Sequence, residues 1–195
     1  MDKEKRLKEL LQETRISFNP DGDNVEGNRV RGLYDLVLDW LGPDFVVVEI
    51  GSCEGSSTEL FALTCKFVYA IDPWDKLKKP HNERVIKNAV NSEIRYKERM
   101  AKYDNVKTIK GFSATEALLF EDGSVDAVYI DGAHDPLSVR KDLNAWLPKI
   151  RAGGVMCGHD YPCADVRNEV IRIFGRIAQT YKDGSWALRV HGSQW

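Results

Sequence analysis

Two carboxylates and a histidine occupy positions in the second half of the chain from which they could act on a hydroxyl group. Asp131 follows the apolar run Val125–Ile130, His134 comes three residues later, and Asp160 comes shortly after the apolar run Val155–Cys157. Such runs predict buried parallel strands, whose carboxyl ends meet at one edge of a sheet. The three side chains are therefore expected to converge. They could bind a divalent cation that lowers the pKa of a hydroxyl, or His134 could accept the proton as a general base.

The first half of the chain carries a strand, a glycine-containing turn, a helix and a second strand that ends in an acid. Glu49 precedes a turn with Gly51 and Gly55, and Asp72 lies 21 positions after Gly51. This unit is typical of sites for adenosine-containing cofactors, where the acid accepts from the ribose hydroxyls. Cys53 stands where a dinucleotide site has its middle glycine, and Glu49 suits an ammonium group better than a pyrophosphate. The pattern therefore favours S-adenosylmethionine, and it disfavours the alternative of an NAD-dependent oxidoreductase.

The candidate site residues can converge only if the strands that precede them lie in one sheet, and the pattern of apolar runs predicts such a sheet. The predicted strands span residues 45–50, 67–71, 106–109, 125–130, 155–157, 177–181 and 186–190. Helical segments alternate with the first five strands, which indicates a mostly parallel sheet covered on both faces. The turn Lys182-Asp-Gly-Ser185 joins the last two strands as a hairpin. We predict an α/β fold, a Rossmann-like doubly wound sheet of seven strands, mostly parallel with one antiparallel strand from the C-terminal hairpin.

Length and composition indicate one compact domain. Helices in residues 1–43 are expected to cap a cofactor-binding domain in residues 44–195, and 43% of the 195 residues are hydrophobic. The formal net charge is -2, which provides no field that would recruit nucleic acid. No apolar run is long enough to cross a membrane, and the first residues lack the apolar core of a signal peptide. The four cysteines show no C-x-x-C spacing, so we expect reduced thiols and a cytoplasmic protein.

Three segments in the second half of the chain resemble the motifs of a known family. They are Tyr129-Ile-Asp-Gly-Ala-His-Asp-Pro, Asp142-Leu-Asn-Ala-Trp-Leu-Pro and Gly153-Gly-Val-Met-Cys-Gly-His-Asp-Tyr161. Together with the glycine turn they resemble the class I S-adenosylmethionine-dependent methyltransferases, and among these a small bacterial group with Ile-Asp-Gly-x-His and Gly-His-Asp-Tyr motifs. The resemblance implies a cofactor site in which Asp72 binds the ribose, Trp74 lies over the adenine and Ser113 meets the adenine amine. The methionine part would lie against Glu49, Gly51, Ser52, Gly55 and Asp131.

The acids at the sheet edge also resemble those of the catechol-type, metal-dependent O-methyltransferases. In that group two acids at the positions of Asp131 and Asp160 hold Mg²⁺, and a base lies at the position of His134. Tyr161 departs from this pattern, because the group has an Asn ligand there. The resemblance implies an enzyme that methylates a hydroxyl of a small molecule, with Mg²⁺ or another divalent cation as a second cofactor. N-methylation on the same scaffold, or non-catalytic binding of S-adenosylmethionine, are the alternatives, and assembly as a homodimer is compatible with either.

Overall fold

The apolar runs form seven strands in a single sheet. The computed structural model describes residues 5–6, 9, 25–74, 83–176 and 178–191. The strands are β1 Val46–Ile50, β2 Phe67–Asp72, β3 Val106–Lys110, β4 Val125–Ile130, β5 Ile150–Gly158, β6 Gln179–Thr180 and β7 Trp186–Arg189. Their order in the sheet is β3-β2-β1-β4-β5-β7-β6. The first five strands are mutually parallel, and β7 runs antiparallel to both β5 and β6. The predicted fold class is confirmed.

Helices connect the parallel strands. They are α1 Val25–Trp40, α2 Ser56–Thr64, α3 Glu83–Met100, α4 Ser113–Glu116, α5 Pro136–Trp146 and α6 Ala164–Phe174, with 3-10 turns at Ala117–Leu119 and Leu147–Lys149. Helix α5 begins where its sequence predicts, because Pro136 occupies the first turn and the Asp135 carboxylate accepts the Ser138 N–H at 3.0 Å. Helices were predicted in residues 1–43: α1 is one of them, positions 5, 6 and 9 are also helical, and residues 1–4, 7–8 and 10–24 lie outside the described residues.

Helices cover both faces of the sheet. Successive residues of β1 point to opposite faces, so Val47 and Val48 belong to two different apolar clusters. One cluster packs α1 and α2 on the sheet through residues such as Phe61, and the other packs α5 and α6 through Leu143 and Val170. This doubly wound arrangement buries the strands and leaves their carboxyl ends as the place for a site. Within the described ranges, no helix combines the length and apolarity that crossing a membrane requires.

Strand β5 differs from its prediction. The strand was expected at residues 155–157 only, whereas it begins at Ile150 and runs through the Gly153-Gly154 pair. The pairing with β4 shifts register there, because Ile150 pairs with Val125 and Val155 pairs with Ala127. A Cβ on Gly154 would lie 2.6 Å from the Asp126 carbonyl oxygen. The glycines therefore form a bulge inside a continuous strand, which requires a close approach between backbones.

Candidate functional site

The ends of three adjacent strands are held together by backbone hydrogen bonds that continue past the sheet. The Asp131 N–H donates to the Ile50 carbonyl at 2.8 Å, and the His159 N–H donates to the Ile130 carbonyl at 3.0 Å. Gly51 has φ +87°, and a Cβ there would lie 2.1 Å from the Asp131 carbonyl oxygen. Only glycine fits this position. The turn after β1 is thus fixed directly against the acid that follows β4.

A cavity of about 460 Å³ opens at this edge. It is lined by Leu33, Gly51, Ser52, Cys53, Glu54, Ser56, Ser57, Leu60, Tyr129, Asp131, His134, His159, Asp160 and Asp183. The turn after β1 and the start of α2 form one wall, and the loops after β4, β5 and β6 form the opposite wall. The described lining carries four carboxylates and two imidazoles but no lysine or arginine. The titratable groups of the lining are therefore mainly acidic, and Leu33 and Leu60 contribute apolar surface.

The structure brings Asp131, His134 and Asp160 together at this cavity. One ligating atom from each of the three lies within 4.8 Å of the other two. His134 Nε2 lies 2.8 Å from Asp160 Oδ2. A carboxylate at Nε2 favours the tautomer with the proton on that nitrogen, so Nδ1 is left as the proton acceptor. Asp160 has φ +58°, a left-handed conformation that Asp tolerates better than most residues. In this conformation of the loop after β5, the Asp160 carboxylate points towards His134.

His159 and Asp183 were not expected among the site residues. His159 Nδ1 lies 3.3 Å from Asp160 Oδ2 and 3.9 Å from Asp131 Oδ1, and only 14% of its side chain is exposed. Its position directly before Asp160 was a signal, although spacing alone does not say where a loop side chain points. Asp183 belongs to the hairpin turn before β7, where its carboxylate accepts the Ser185 N–H at 2.9 Å. Burial raises the pKa of Asp183, an effect that the hydrogen bonds from Ser185 and the nearby His159 oppose. Because the sequence around Asp183 was interpreted only as a hairpin turn, Asp183 was not predicted as a site residue.

Glu49 lies beneath the cavity and does not line it. Its side chain is 0% exposed, and its two carboxylate oxygens accept hydrogen bonds from the hydroxyls of Ser57 and Thr58 in the first turn of α2. Burial raises the pKa of Glu49 to about 7, and the hydroxyl donors limit the rise. Glu49 therefore ties the end of β1 to the start of α2. The expected contact between Glu49 and a cofactor ammonium would therefore be relayed by these hydroxyls, or the hydroxyls would have to move away from the carboxylate.

Ser52 is the residue of the turn that best fits a bound ligand. It is 2% exposed, yet its Oγ is the one buried side-chain polar atom among the described residues that makes no hydrogen bond of ordinary geometry. A weak interaction of the Ser52 hydroxyl with the buried Glu49 carboxyl lowers the pKa of Glu49. A buried hydroxyl that lacks a good hydrogen bond costs free energy. A polar group of a ligand held in the turn would remove this cost.

Asp72 keeps capacity for ribose hydroxyls. Its Oδ2 accepts the Cys53 N–H at 2.9 Å, and its Oδ1 accepts the Trp74 N–H at 2.7 Å. Burial raises the pKa of Asp72, and these two N–H donors lower it. Each carboxylate oxygen has a second lone pair, so a bidentate contact with a diol is still open. Cys53 adopts φ +46°, the left-handed conformation that a glycine would adopt more readily.

Trp74 and Ser113 lie apart from the cavity lining. Trp74 is 2% exposed, donates from Nε1 to the Cys53 carbonyl at 2.9 Å and packs on Tyr96 with ring centroids 5.0 Å apart. The indole is therefore held against the turn after β1 and against α3, and its expected position over an adenine stays a prediction. Ser113 Oγ accepts from Trp146 Nε1 at 2.8 Å and bonds the Asp142 carboxyl. Burial raises the pKa of Asp142 to about 6. The Ser113 hydroxyl has one lone pair left for an amine.

The donor set at the sheet edge differs from that of an all-oxygen magnesium site. Tyr161 is buried, its hydroxyl accepts the Ala178 N–H at 3.3 Å, and its ring packs beside Trp186. It is therefore held in the core and supplies no ligand. The candidate donor set consists of the Asp131 and Asp160 carboxylates and the His134 imidazole. Mg²⁺ prefers oxygen ligands in octahedral geometry, so this set differs from that of a magnesium site by its nitrogen donor.

Comparisons with known proteins show that this chain is similar to methyltransferases. Residues 48–161 match a family model described as "Methyltransferase domain". No curated protein sequence matches the chain. Among solved structures, the chain is similar to the N-methyltransferase NodS from Bradyrhizobium japonicum WM9 in complex with S-adenosyl-L-homocysteine, with a TM-score of 0.57 and 18% identity over 97% of this chain and 99% of that chain.

Two further solved structures share the fold. One is an rRNA methylase from Streptococcus thermophilus, with a TM-score of 0.54 and 15% identity over 80% of this chain and 92% of that chain. The other is the precorrin 8w decarboxylase of Methanobacterium thermoautotrophicum, with a TM-score of 0.55 and 20% identity over 89% of this chain and 91% of that chain. The different reactions in these names show that the fold alone does not identify the acceptor.

Proposed function

This chain belongs to the family of methyltransferase domains, and we propose that it transfers the methyl group of S-adenosylmethionine to a hydroxyl group of a small molecule. One observation carries the proposal. The Asp131, His134 and Asp160 side chains open into the same cavity as the glycine turn after β1. A cofactor methyl group bound at that turn and an acceptor bound at the acids would therefore be neighbours.

The cofactor would be held by residues of the first half of the chain. Ser52, whose buried hydroxyl makes no hydrogen bond of ordinary geometry, and the Gly51 turn would take the amino acid part. The remaining lone pairs of Asp72 would take the ribose hydroxyls. Ser113 has one lone pair for the adenine amine, and Phe112 beside it exposes about half of its surface, which offers an apolar contact for the base. The bound cofactor supplies an electrophilic methyl carbon.

The acceptor would be deprotonated by His134. In the metal-free protein, Asp160 fixes the Nε2–H tautomer, and Nδ1 takes the hydroxyl proton as the oxygen attacks the methyl carbon. A cofactor bound at the turn would supply the methyl group, and it would leave as neutral S-adenosylhomocysteine when the new C–O bond replaced its C–S bond. A proton acceptor of this kind argues against a protein that only binds the cofactor.

Amine acceptors are the second candidate. The four carboxylates of the described lining would attract an ammonium group, and a neutral amine needs no strong base to attack the methyl carbon. The same acidic lining and a net charge of -2 disfavour the phosphate backbone of a nucleic acid. A small-molecule acceptor therefore remains our proposal in both cases.

The proposal is tested by binding first and by transfer second. Calorimetric titration with S-adenosylhomocysteine and with NAD should give binding of the former alone. Methyl transfer from labelled S-adenosylmethionine should then be measured with acceptors matched in shape, in which a hydroxyl is replaced by an amine. We expect transfer to the hydroxyl series and its loss in the His134→Ala variant. Absence of S-adenosylhomocysteine binding would refute the proposed function, and transfer to amines alone would select the second candidate.

A further inference from the structure

The four carboxylates of the cavity lining differ in the charged groups that they contact. Glu54 pairs with Arg95 at 2.7 Å, and Asp131 and Asp160 lie beside histidines. The fourth carboxylate belongs to Asp183, in the hairpin turn before β7. Among the residues that the structure describes, no arginine or lysine pairs with Asp183. Its negative charge is therefore the one in the lining that a cationic ligand is best placed to balance.

The Asp183 carboxylate is held by the hairpin turn and by helix α1. Its Oδ1 accepts the Ser185 N–H at 2.9 Å, and its Oδ2 accepts the Ser185 hydroxyl at 2.8 Å. On the side of α1, a Cβ on Gly32 would lie 2.1 Å from Asp183 Oδ1. Glycine weakens the interior of a helix relative to alanine, but here it gives the carboxylate the space that it occupies. The turn and the helix thus fix Asp183 at the wall of the cavity.

The carboxylate keeps capacity for a further donor. Each of its oxygens has a lone pair beyond the one that accepts from Ser185. Burial raises the pKa of Asp183, and the hydrogen bonds from Ser185 and the His159 imidazole oppose this rise. A partly buried negative charge is costly unless a cation or donors compensate it. A positively charged group on the cavity side would reduce this cost.

Ser52 provides independent evidence that the cavity receives a ligand. It lines the same cavity, and its buried Oγ makes no hydrogen bond of ordinary geometry. The turn that carries Ser52 forms one wall, and the hairpin turn with Asp183 belongs to the opposite wall. A cofactor held on the Ser52 side would therefore leave the Asp183 side to the acceptor.

We propose that Asp183 binds an ammonium group of the methyl acceptor, so that the acceptor is a small molecule with both a hydroxyl and an ammonium group. The hydroxyl would lie at His134 and the ammonium group at Asp183, while Leu33 and Leu60 offer apolar surface to the part that joins them. The inference rests on the proposed function for the reaction. It adds the substrate class and a residue that determines specificity through its charge.

Matched pairs of acceptor probes test this inference. The pairs are tyramine and para-propylphenol, para-(aminomethyl)phenol and para-ethylphenol, and aminopentanol and hexanol. In each pair a methyl group replaces the ammonium group. Dissociation constants are measured by calorimetry with the full chain saturated with S-adenosylhomocysteine. We expect at least one amine probe to bind about tenfold or more tightly than its neutral counterpart, as for a hydrogen bond between charged groups.

Two variants test whether Asp183 causes this preference. Asp183→Asn keeps the size of the side chain and an oxygen that accepts the Ser185 N–H, but it carries no charge. Gly32→Ala keeps every charge, but its Cβ would displace the carboxylate. The ratio of the two dissociation constants in a pair should fall to about one in Asp183→Asn and should decrease in Gly32→Ala.

Asp122→Asn is the matched control. Asp122 also precedes a glycine in a turn, its side chain is 73% exposed, and it pairs with Lys149 outside the cavity. The ratio should stay at its wild-type value in this variant. Circular dichroism and thermal unfolding of each variant verify folding.

Three results would each overturn the inference. They are equal binding of amine and neutral probes in all pairs by the wild type, a wild-type ratio in either folded cavity variant, and a methylated product that carries the new methyl group on nitrogen. The product is identified by mass spectrometry after transfer from labelled S-adenosylmethionine. If S-adenosylhomocysteine binds and the neutral phenols are methylated without any preference for amines, this inference alone is wrong. If S-adenosylhomocysteine does not bind, the proposed function is wrong.

Discussion

Replacement of Glu49 by Gln should change how the stability of the protein depends on pH. Burial raises the pKa of Glu49 from 4.5 to about 7 in the folded chain. In the unfolded chain the carboxyl returns to its ordinary value, so between these pH values the folded state binds more protons than the unfolded state. The stability that Glu49 contributes is therefore fully present below the pKa of its carboxyl in the unfolded chain. It is lost as pH rises to about 7, the pKa of the carboxyl in the folded chain.

The size of the effect follows from the shift. One pKa unit corresponds to about 1.36 kcal/mol, so the free energy of unfolding should fall by about 3 kcal/mol between pH 4.5 and pH 8 through Glu49 alone. Glu49→Gln cannot ionise and should lack this fall. Because Gln also disturbs the hydrogen bonds from Ser57 and Thr58, the absolute stabilities are not compared. The quantity that matters is the difference between wild type and variant as a function of pH.

Urea unfolding at several pH values measures this difference. We expect the wild type to lose stability relative to Glu49→Gln as pH rises from 5 to 8. A Glu54→Gln variant is the control, since Glu54 is a partly exposed acid of the same turn that pairs with Arg95 at 2.7 Å. Parallel curves for the wild type and Glu49→Gln would refute the reasoning, because they would mean that the buried carboxyl ionises in its usual range.

Three further substitutions test the site. Asp72→Ala should weaken S-adenosylhomocysteine binding by about 1.5–3 kcal/mol in calorimetry, as expected for hydrogen bonds to a charged group, and unchanged affinity would remove the ribose assignment. His134→Ala should preserve that affinity but lower turnover roughly 10²–10⁴-fold, and full turnover would exclude His134 from the chemistry. Gly51→Ala should destabilise the chain by more than the roughly 1–3 kcal/mol that a strained conformation costs, because its Cβ would also meet the Asp131 carbonyl. Gly175→Ala is its control, since Gly175 has φ +64° with nothing within 4 Å of a Cβ, and equal losses in the two variants would show that the contact with Asp131 contributes nothing.

The sequence alone was sufficient to predict the helices, the strands and the parallel sheet of this protein. Strands and helices were predictable because side-chain periodicity is a local property, and the alternation of the two implies a parallel sheet whose carboxyl ends share one edge. That rule places Asp131 and Asp160 side by side without any coordinates, and the structure confirms their proximity. The glycine at position 51 was also readable, since the turn between β1 and α2 needs a positive φ.

The tertiary structure alone decided which side chains face the cavity. His159 and Asp160 are neighbours in one loop. The left-handed conformation of Asp160 and the hydrogen bond from Trp186 to the His159 carbonyl accompany an arrangement in which His159 and His134 both contact Asp160 Oδ2. Trp74 lies two residues after Asp72 in the chain and is buried against Tyr96, a residue of α3. Asp183 reaches the cavity because β7 inserts between β5 and β6. Such side-chain orientations depend on contacts between residues distant in the chain, and local sequence patterns do not determine those contacts.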